Sequence, residues 1–372
     1  MRLKNIYRLG KKELWSLVRD PILLFLIAFA FTVSVYTAAT AMPDTLNEAP
    51  IAIVDEDQSP LSQRIIDAFQ QPYFLPPKQI TRAEMDRRMD SGLDTFALDI
   101  PPDFQRDVLA GRGPTIQLNV DATRVSQAFT GSSYVQTIVS DEVQTFVQRY
   151  RESTTMPVEL VDRVRFNPTL NKTYFGAVIQ VIDQITMLSI VLTGAALIRE
   201  RERGTIEHLL AMPVTPLEIM SSKVWSMGLV VLLASTLSLV FVVQGLMAVP
   251  IEGSLLLFLG GAAMHLFATT SMGIFMGTFA RSMQQFGLLI MLVLIPLQML
   301  SGGLTPRESM PEAIQHIMLT APTTHFVMLA QGILYRGANL SIVWPQFAAL
   351  ALIGTIFFGV SHARFRIAIG QM

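Results

Sequence analysis

The chain has 372 residues, of which 51% are hydrophobic and only 15% charged, with a mean hydropathy of +0.44 and a net charge of −1. That composition excludes an ordinary soluble protein, and the balanced charge supplies no basic stripe for a nucleic-acid partner. Cysteine is absent, which rules out disulfides, iron–sulfur clusters and Cys zinc sites.

The N-terminal stretch LKNIYRLGKKELWSLVRDP places Ile6, Leu9, Leu14, Leu17 and Val18 on one broad apolar side with basic residues elsewhere. This pattern predicts a helix over 1–21 lying on the cytoplasmic membrane surface. An apolar run follows from 22 to 42, too long for a signal h-region although Ala39-Thr40-Ala41 resembles a cleavage site, so an uncleaved anchor is expected.

Residues 43–173 are polar and read as a soluble α/β domain. Three β-rich runs, 49–57, 95–101 and 115–122, are separated by helix signals. Ser59-Pro60 reads as an N-cap with proline at the first helical position, Thr81 with Glu84 as a capping box with Gly92 as the stop, and a short helix from Pro102 ends at Gly111. A long helical pattern from Thr123 to Glu152 could lead the chain back to the membrane or lie along a partner. The carboxylates of VDEDQS and the pair Asp99 and Asp103 fit turn and capping chemistry better than a metal site or acid–base catalysis.

Counting apolar runs of about 20 residues, the length needed to cross the hydrocarbon core, gives six expected spans: 22–42, 174–198, 222–247, 254–280, 286–303 and 346–363. Lys and Arg concentrate in 1–21, 199–223, 281–285 and 364–372, whereas 248–253 and 304–345 hold only Arg307 and Arg336. Both termini and the 199–221 loop are therefore expected in the cytoplasm, and 43–173 outside. The fold class expected is a membrane α-helical bundle of six transmembrane helices carrying a large inserted α/β periplasmic domain. In this reading 222–303 holds the third to fifth spans. Residues 304–345 form short or re-entrant helices at the outer face, with Thr305-Pro306-Arg307-Glu308 as a capping box, and 364–372 is a cytoplasmic tail.

Ionisable and polar residues within spans are costly. Asp183, Gln184, His265 and Gln298 are thus candidates to line a substrate path, against the alternative that they hydrogen-bond neighbouring helices. Small residues of the fourth span, among them Gly273 and Gly277, allow close helix contact. The five histidines show no metal-ligand spacing, and there is no G-x-x-x-x-G-K-[ST] loop. No metal, catalytic residue or cofactor is therefore assigned to this chain, and ATP-driven work would need a separate ATPase polypeptide carrying ATP and Mg.

The charged run RERERGTIEHLLAMPVTPLEI, 199–219, carries two sets of helix caps, at Gly204-Thr205 and at Thr215-Pro216-Leu217-Glu218, which predicts two short helices at the membrane face. Spelled as E-R-E-x-G-T-x-E-x-L-x-x-x-P-x-x-x-x-E-x-x-x-x-K over Glu200 to Lys223, it resembles the loop signature of ABC-2 type permeases, the membrane subunits of a class of ABC exporters. The exported segments APIAIVDEDQSPLS and IPPDFQRDVLAGR are also similar to the extracytoplasmic domain of the subgroup that works with a periplasmic adaptor of the HlyD membrane-fusion type.

The resemblance implies a type V exporter-like permease and places an ATPase-coupling element on Glu200, Arg203, Gly204, Thr205, Ile206, Glu207, Leu209, Leu210, Pro213, Glu218 and Lys223. It further implies an ABC ATPase subunit, a second permease copy as homodimer or related permease, an adaptor with an outer-membrane channel, and export of an amphiphilic or drug-like substrate through the bacterial inner membrane. Two other readings stay open from the residues alone: an ion-driven secondary transporter using Asp183, and a membrane-anchored envelope scaffold. No convergent nucleophile, base or metal set points to an enzyme.

Overall fold

The computed structural model describes residues 2–40, 46, 48–121, 125–150, 172–202, 204, 213–305 and 307–370. The chain divides into two compact units, one formed by Met1–Met42 with Val164–Met372 and the other by Pro43–Arg163.

The first unit opens with α1 (Leu3–Val18), α2 (Pro21–Phe31) and α3 (Val33–Thr40). Asp20 caps α2 by accepting from Leu23 N at 3.1 Å, and Pro21 presets the first helical φ. The break between α2 and α3 falls at Thr32, whose hydroxyl donates to Ala28 O at 2.6 Å and so competes with the helical ladder. Together α2 and α3 form an apolar stretch of 20 residues, Pro21–Thr40.

The second unit is a four-stranded sheet of order β2-β1-β3-β4, made of β1 (Ile51–Asp55), β2 (Lys78–Gln79), β3 (Phe96–Ile100) and β4 (Gln117–Val120). Both β2 and β3 run parallel to β1, and β4 runs antiparallel to β3. The two-residue β2 was not expected from the sequence, being too short for a periodic signal.

Four helices accompany the sheet: α4 (Pro60–Ala68), α5 (Arg82–Asp90), α6 (Phe104–Leu109) and α7 (Val125–Tyr150). Alternation sorts the two faces. Ile51, Ile53, Phe96, Leu98 and Ile100 join Leu61, Ile65, Val135 and Phe146 in one core, while Val54 and Ala97 meet Met85 of α5 on the other side.

The long helix α7 thus packs on its own unit, pinned to α4 by Arg64, whose Nε and Nη2 donate to Glu142 at 3.1 and 2.7 Å. The VDEDQS carboxylates serve turns: Asp55 accepts from Gln58 N at 2.9 Å and from the Ser62 hydroxyl at 2.8 Å, and Asp57 accepts from Gln105 N at 3.0 Å.

The remaining helices return to the first unit: α8 (Lys172–Glu202), α9 (Pro216–Leu237), α10 (Leu255–Phe279), α11 (Met283–Met299), α12 (Glu312–Met318), α13 (Pro322–Leu334) and α14 (Leu340–Gly370). Three expectations need correction. The cap at Thr215 does not open a separate short helix: α9 runs unbroken from Pro216, because nothing in IMSSK interrupts it, and continues as a π-helix over Ser238–Leu246.

The second correction concerns the span count. Five helical stretches among the described residues are long and apolar enough to cross a membrane, while α11, at 17 residues, is shorter than expected. It is capped early by Ser282 and ends before Gly302, whose φ of +95° suits glycine. The pair α12 and α13, bent by 88°, brings the number to six only if it counts as one broken span.

Third, the predicted helix start at Thr305 is a 3₁₀ turn, Arg307–Ser309, and α12 begins at Glu312. Pro306 lies outside the described residues.

At the centre, α8 packs on α10. Gly273 is required there, since a Cβ would sit 2.6 Å from the Ile190 carbonyl oxygen. Hydroxyls fill the same contact, Ser189 donating to Thr269 at 2.7 Å.

Candidate functional site

Helix α8 ends in Arg199-Glu200-Arg201-Glu202. At 3.6 residues per turn, four consecutive side chains point about 100° apart, and here each meets a different element. Arg199 Nη1 lies 3.3 Å from Asp20 Oδ2, on the residue that caps α2. Glu200 takes Lys12 Nζ of α1 at 3.2 Å and Lys223 Nζ of α9 at 2.8 Å.

Arg201 Nη1 donates to the Ala280 carbonyl at 2.7 Å, at the C-terminus of α10, and Glu202 accepts from Met283 N at 2.9 Å, the first residue of α11. A cation at a helix C-terminus and an anion at an N-terminus are the favourable placements for the helix dipole. The charged end of α8 is therefore a hub tying together α1, α2, α9, α10 and α11.

Lys223 lies at the centre of the hub. Its side chain is only 2% exposed and its ammonium contacts Glu13 of α1 at 3.0 Å as well as Glu200. Burying a lysine is costly unless it is paired, and two carboxylates from different helices supply the pairing.

Five residues earlier, the buried Glu218 satisfies two helix starts at once. It closes the capping box of α9 by accepting from Thr215 N at 3.1 Å, and it accepts from Arg2 N and from Asn5 Nδ2 at the start of α1. Trp225 completes the seam between α1 and α9: its Nε1 donates to Ile6 O at 3.2 Å, and its ring lies against Gly10, where a Cβ would come within 2.1 Å. The apolar side of α1 accordingly has Ile6, Gly10 and Leu17 buried, while Val18 is exposed.

Among the expected coupling residues, Glu200 and Lys223 meet although 23 positions separate them, while Glu218 holds the other end of α1. Gly204 has φ +66°, the left-handed conformation that ends α8, and its N–H donates to Arg201 O at 3.1 Å. Pro213 is exposed just before α9. Arg203, Thr205, Ile206, Glu207, Leu209 and Leu210 lie outside the described residues.

Sequence reasoning missed Lys12, Glu13, Asp20 and Trp225. The only available signal was an acidic residue within the otherwise basic, amphipathic α1. A cleft of about 390 Å³ opens beside the hub, lined by Lys12, Glu13, Arg19, Asp20, Arg199 and Glu200.

The four candidate path residues are not brought together: Asp183 and Gln184 are on α8, His265 on α10 and Gln298 on α11. Gln184 Nε2 donates to Ser34 Oγ at 3.1 Å, and Gln298 O accepts from Ser301 Oγ at 2.9 Å. His265 is fully buried, 2.9 Å from Thr186 Oγ1 and stacked on Phe326 at 4.2 Å. Half-buried Asp183 makes no hydrogen bond or ion pair among the described residues.

The family model described as ABC-2 family transporter protein matches residues 14–362. The inner membrane transport permease YhhJ of Escherichia coli K12 is 63% identical over 370 residues, covering 100% of this chain and 99% of the relative. Two further relatives from that organism, named probable multidrug ABC transporter permeases, are more distant. YbhR is 27% identical over 97% of this chain and 98% of its own length, and YbhS is 26% identical over 91% and 90%.

Proposed function

Because the chain belongs to the ABC-2 family of transporter proteins, we propose that it is the permease subunit of an ATP-driven exporter, energised by a separate ABC ATPase. The chain is a multi-pass inner-membrane transport subunit and not an enzyme. In the arrangement proposed, both termini and the 199–221 loop face the cytoplasm and the α/β unit faces the periplasm. The bent pair α12–α13 dips into the outer interface. Two permease copies work with two ATPases and pass an amphiphilic or drug-like substrate outward, toward a periplasmic adaptor of the HlyD type and an outer-membrane channel. ATP and Mg reside on the ATPase.

The observation that carries this reading is the hub. Residues 199–202 contact five helices, and Glu200 and Lys223, on either side of the loop, are in ion contact. An ATPase gripping Ile206, Leu209 and Leu210 would load Gly204 and Pro213, and the hub would pass that displacement into the bundle as one body. Coupling of this kind needs a rigid connection between the docking element and the spans.

The test is purification of the tagged chain with its bound partners. An ABC ATPase should co-purify and hydrolyse ATP, and Glu207→Arg with Leu209→Asp should release it. A chain that purifies without an ATPase and moves solutes on a proton gradient alone would replace this reading with the secondary transporter.

A further inference from the structure

At the end of the bundle remote from the hub, a second cleft of about 500 Å³ opens between the turn after α11, the 3₁₀ turn and helices α13 and α14. Its position follows from Tyr335, whose hydroxyl donates to Phe175 O at 3.0 Å in the first turn of α8. Arg336 is the next residue, and the hub at 199–202 lies some 25 residues further along that helix, roughly 38 Å away at 1.5 Å per residue.

The cleft wall carries both basic residues of the 304–345 stretch, Arg307 and Arg336, against one carboxylate, the exposed Glu308. Neither arginine forms an ion pair among the described residues, and Arg307 Nε is buried without a hydrogen-bond partner. Two further polar atoms of the wall are buried and unpaired: Thr324 Oγ1, on a side chain 1% exposed, and Gln346 Oε1. Met328 and Ile342 supply apolar wall beside them.

Buried polar groups without partners are costly, and two of these three, Arg307 Nε and Thr324 Oγ1, are donors. A guanidinium fork suits one acceptor above others, a phosphate or carboxylate oxyanion held in a bidentate manner. The apolar wall next to it suits an aliphatic chain.

We infer that this cleft binds the oxyanion head of an amphiphile, with Arg307 and Arg336 gripping the head, Thr324 donating to it, and the chain lying along Met328 and Ile342. The shared chemistry admits two sources, a bilayer phospholipid head or a free anionic amphiphile. The inference concerns binding and stands whether or not the chain exports what it binds.

Native mass spectrometry of the full chain in a neutral detergent tests it with three probes: a phosphatidylglycerol, dodecyl phosphate, and a diacylglycerol of the same chains as the phosphatidylglycerol. One or both anions should bind at least tenfold tighter than the diacylglycerol, and the one that binds identifies the source. Arg336→Ala should weaken that binding about tenfold, the loss of one charge-assisted contact, and Arg307→Ala/Arg336→Ala should abolish the preference. Because Arg336 is exposed and bonds to no described residue, its single variant separates binding from folding. Anions that bind no better than the diacylglycerol, or an Arg336→Ala variant within twofold of the parent, would overturn the proposal.

Discussion

Replacing Lys223 with methionine keeps the buried aliphatic stem and removes only the charge. Glu13 and Glu200 both contact that ammonium, at 3.0 and 2.8 Å, so their contacting oxygens lie within about 6 Å of each other. Without the cation, two carboxylates only 12% exposed would repel across that gap. At an effective dielectric of about 20 this costs roughly 3 kcal/mol, at the lower edge of the roughly 3–5 kcal/mol for breaking a buried pair from one side.

Lys12, at 3.2 Å from Glu200, offsets part of the repulsion, which brings the expected loss to roughly 2–3 kcal/mol. Unfolding by sodium dodecyl sulfate titration in mixed micelles gives the number. The double variant Lys223→Met/Glu200→Gln should recover at least half of it, since the second change removes one of the two stranded charges. A Lys223→Met variant within about 0.5 kcal/mol of the parent, or strict additivity in the double variant, would refute the reasoning.

Gly10→Ala should weaken the α1–α9 seam by about 1–3 kcal/mol, the usual cost of overpacking, because the new methyl would displace the Trp225 ring and its bond to Ile6; the same titration checks it. Gly273→Val should cost at least as much and lower the yield of folded protein in detergent, since the obstacle there is the Ile190 backbone, which cannot swing aside. In the α/β unit, the hydrogen bond from Arg112 holds Asp107 below its ordinary value of 3.8, and the Thr81 capping bonds hold Glu84 below 4.5. Both groups are therefore less protonated in the folded state than in the unfolded chain. Their contribution is complete above those ordinary values and is lost as pH falls through the lower folded ones. The protection of amides over 104–112, taken relative to their intrinsic exchange rates, should fall on acidification below about pH 4, and Asp107→Asn should flatten that response.

Local chemistry was the legible part of this molecule. The capping boxes at Thr81 and Thr215, the N-cap at Ser59 and the left-handed glycines at 92, 111 and 204 all stand where short-range patterns put them. What sequence could not convey was pairing at a distance. Nothing in the spelling of Arg199 to Glu202 says that one charge faces Asp20 and another the end of α10, because those partners lie some 80 to 180 positions away. The start of the first short outer helix was misplaced for a different reason: the spelling of Thr305 to Glu308 matches a capping box, whereas the backbone makes a 3₁₀ turn at Arg307–Ser309 and the helix begins only after Pro311. Glu218 combines both cases. Its role in the α9 capping box is a three-residue signal, while its grip on the start of α1 spans 216 positions.

The central claim is that the charged end of α8 transmits work between an ATPase and the bundle. The most direct test compares ATP hydrolysis by the co-purified complex carrying either the parent chain or Lys223→Met, after confirming equal ATPase content. The account predicts that the variant binds the ATPase normally yet loses most of the rate change that the parent chain imposes on it. Identical hydrolysis rates in the two complexes would contradict it.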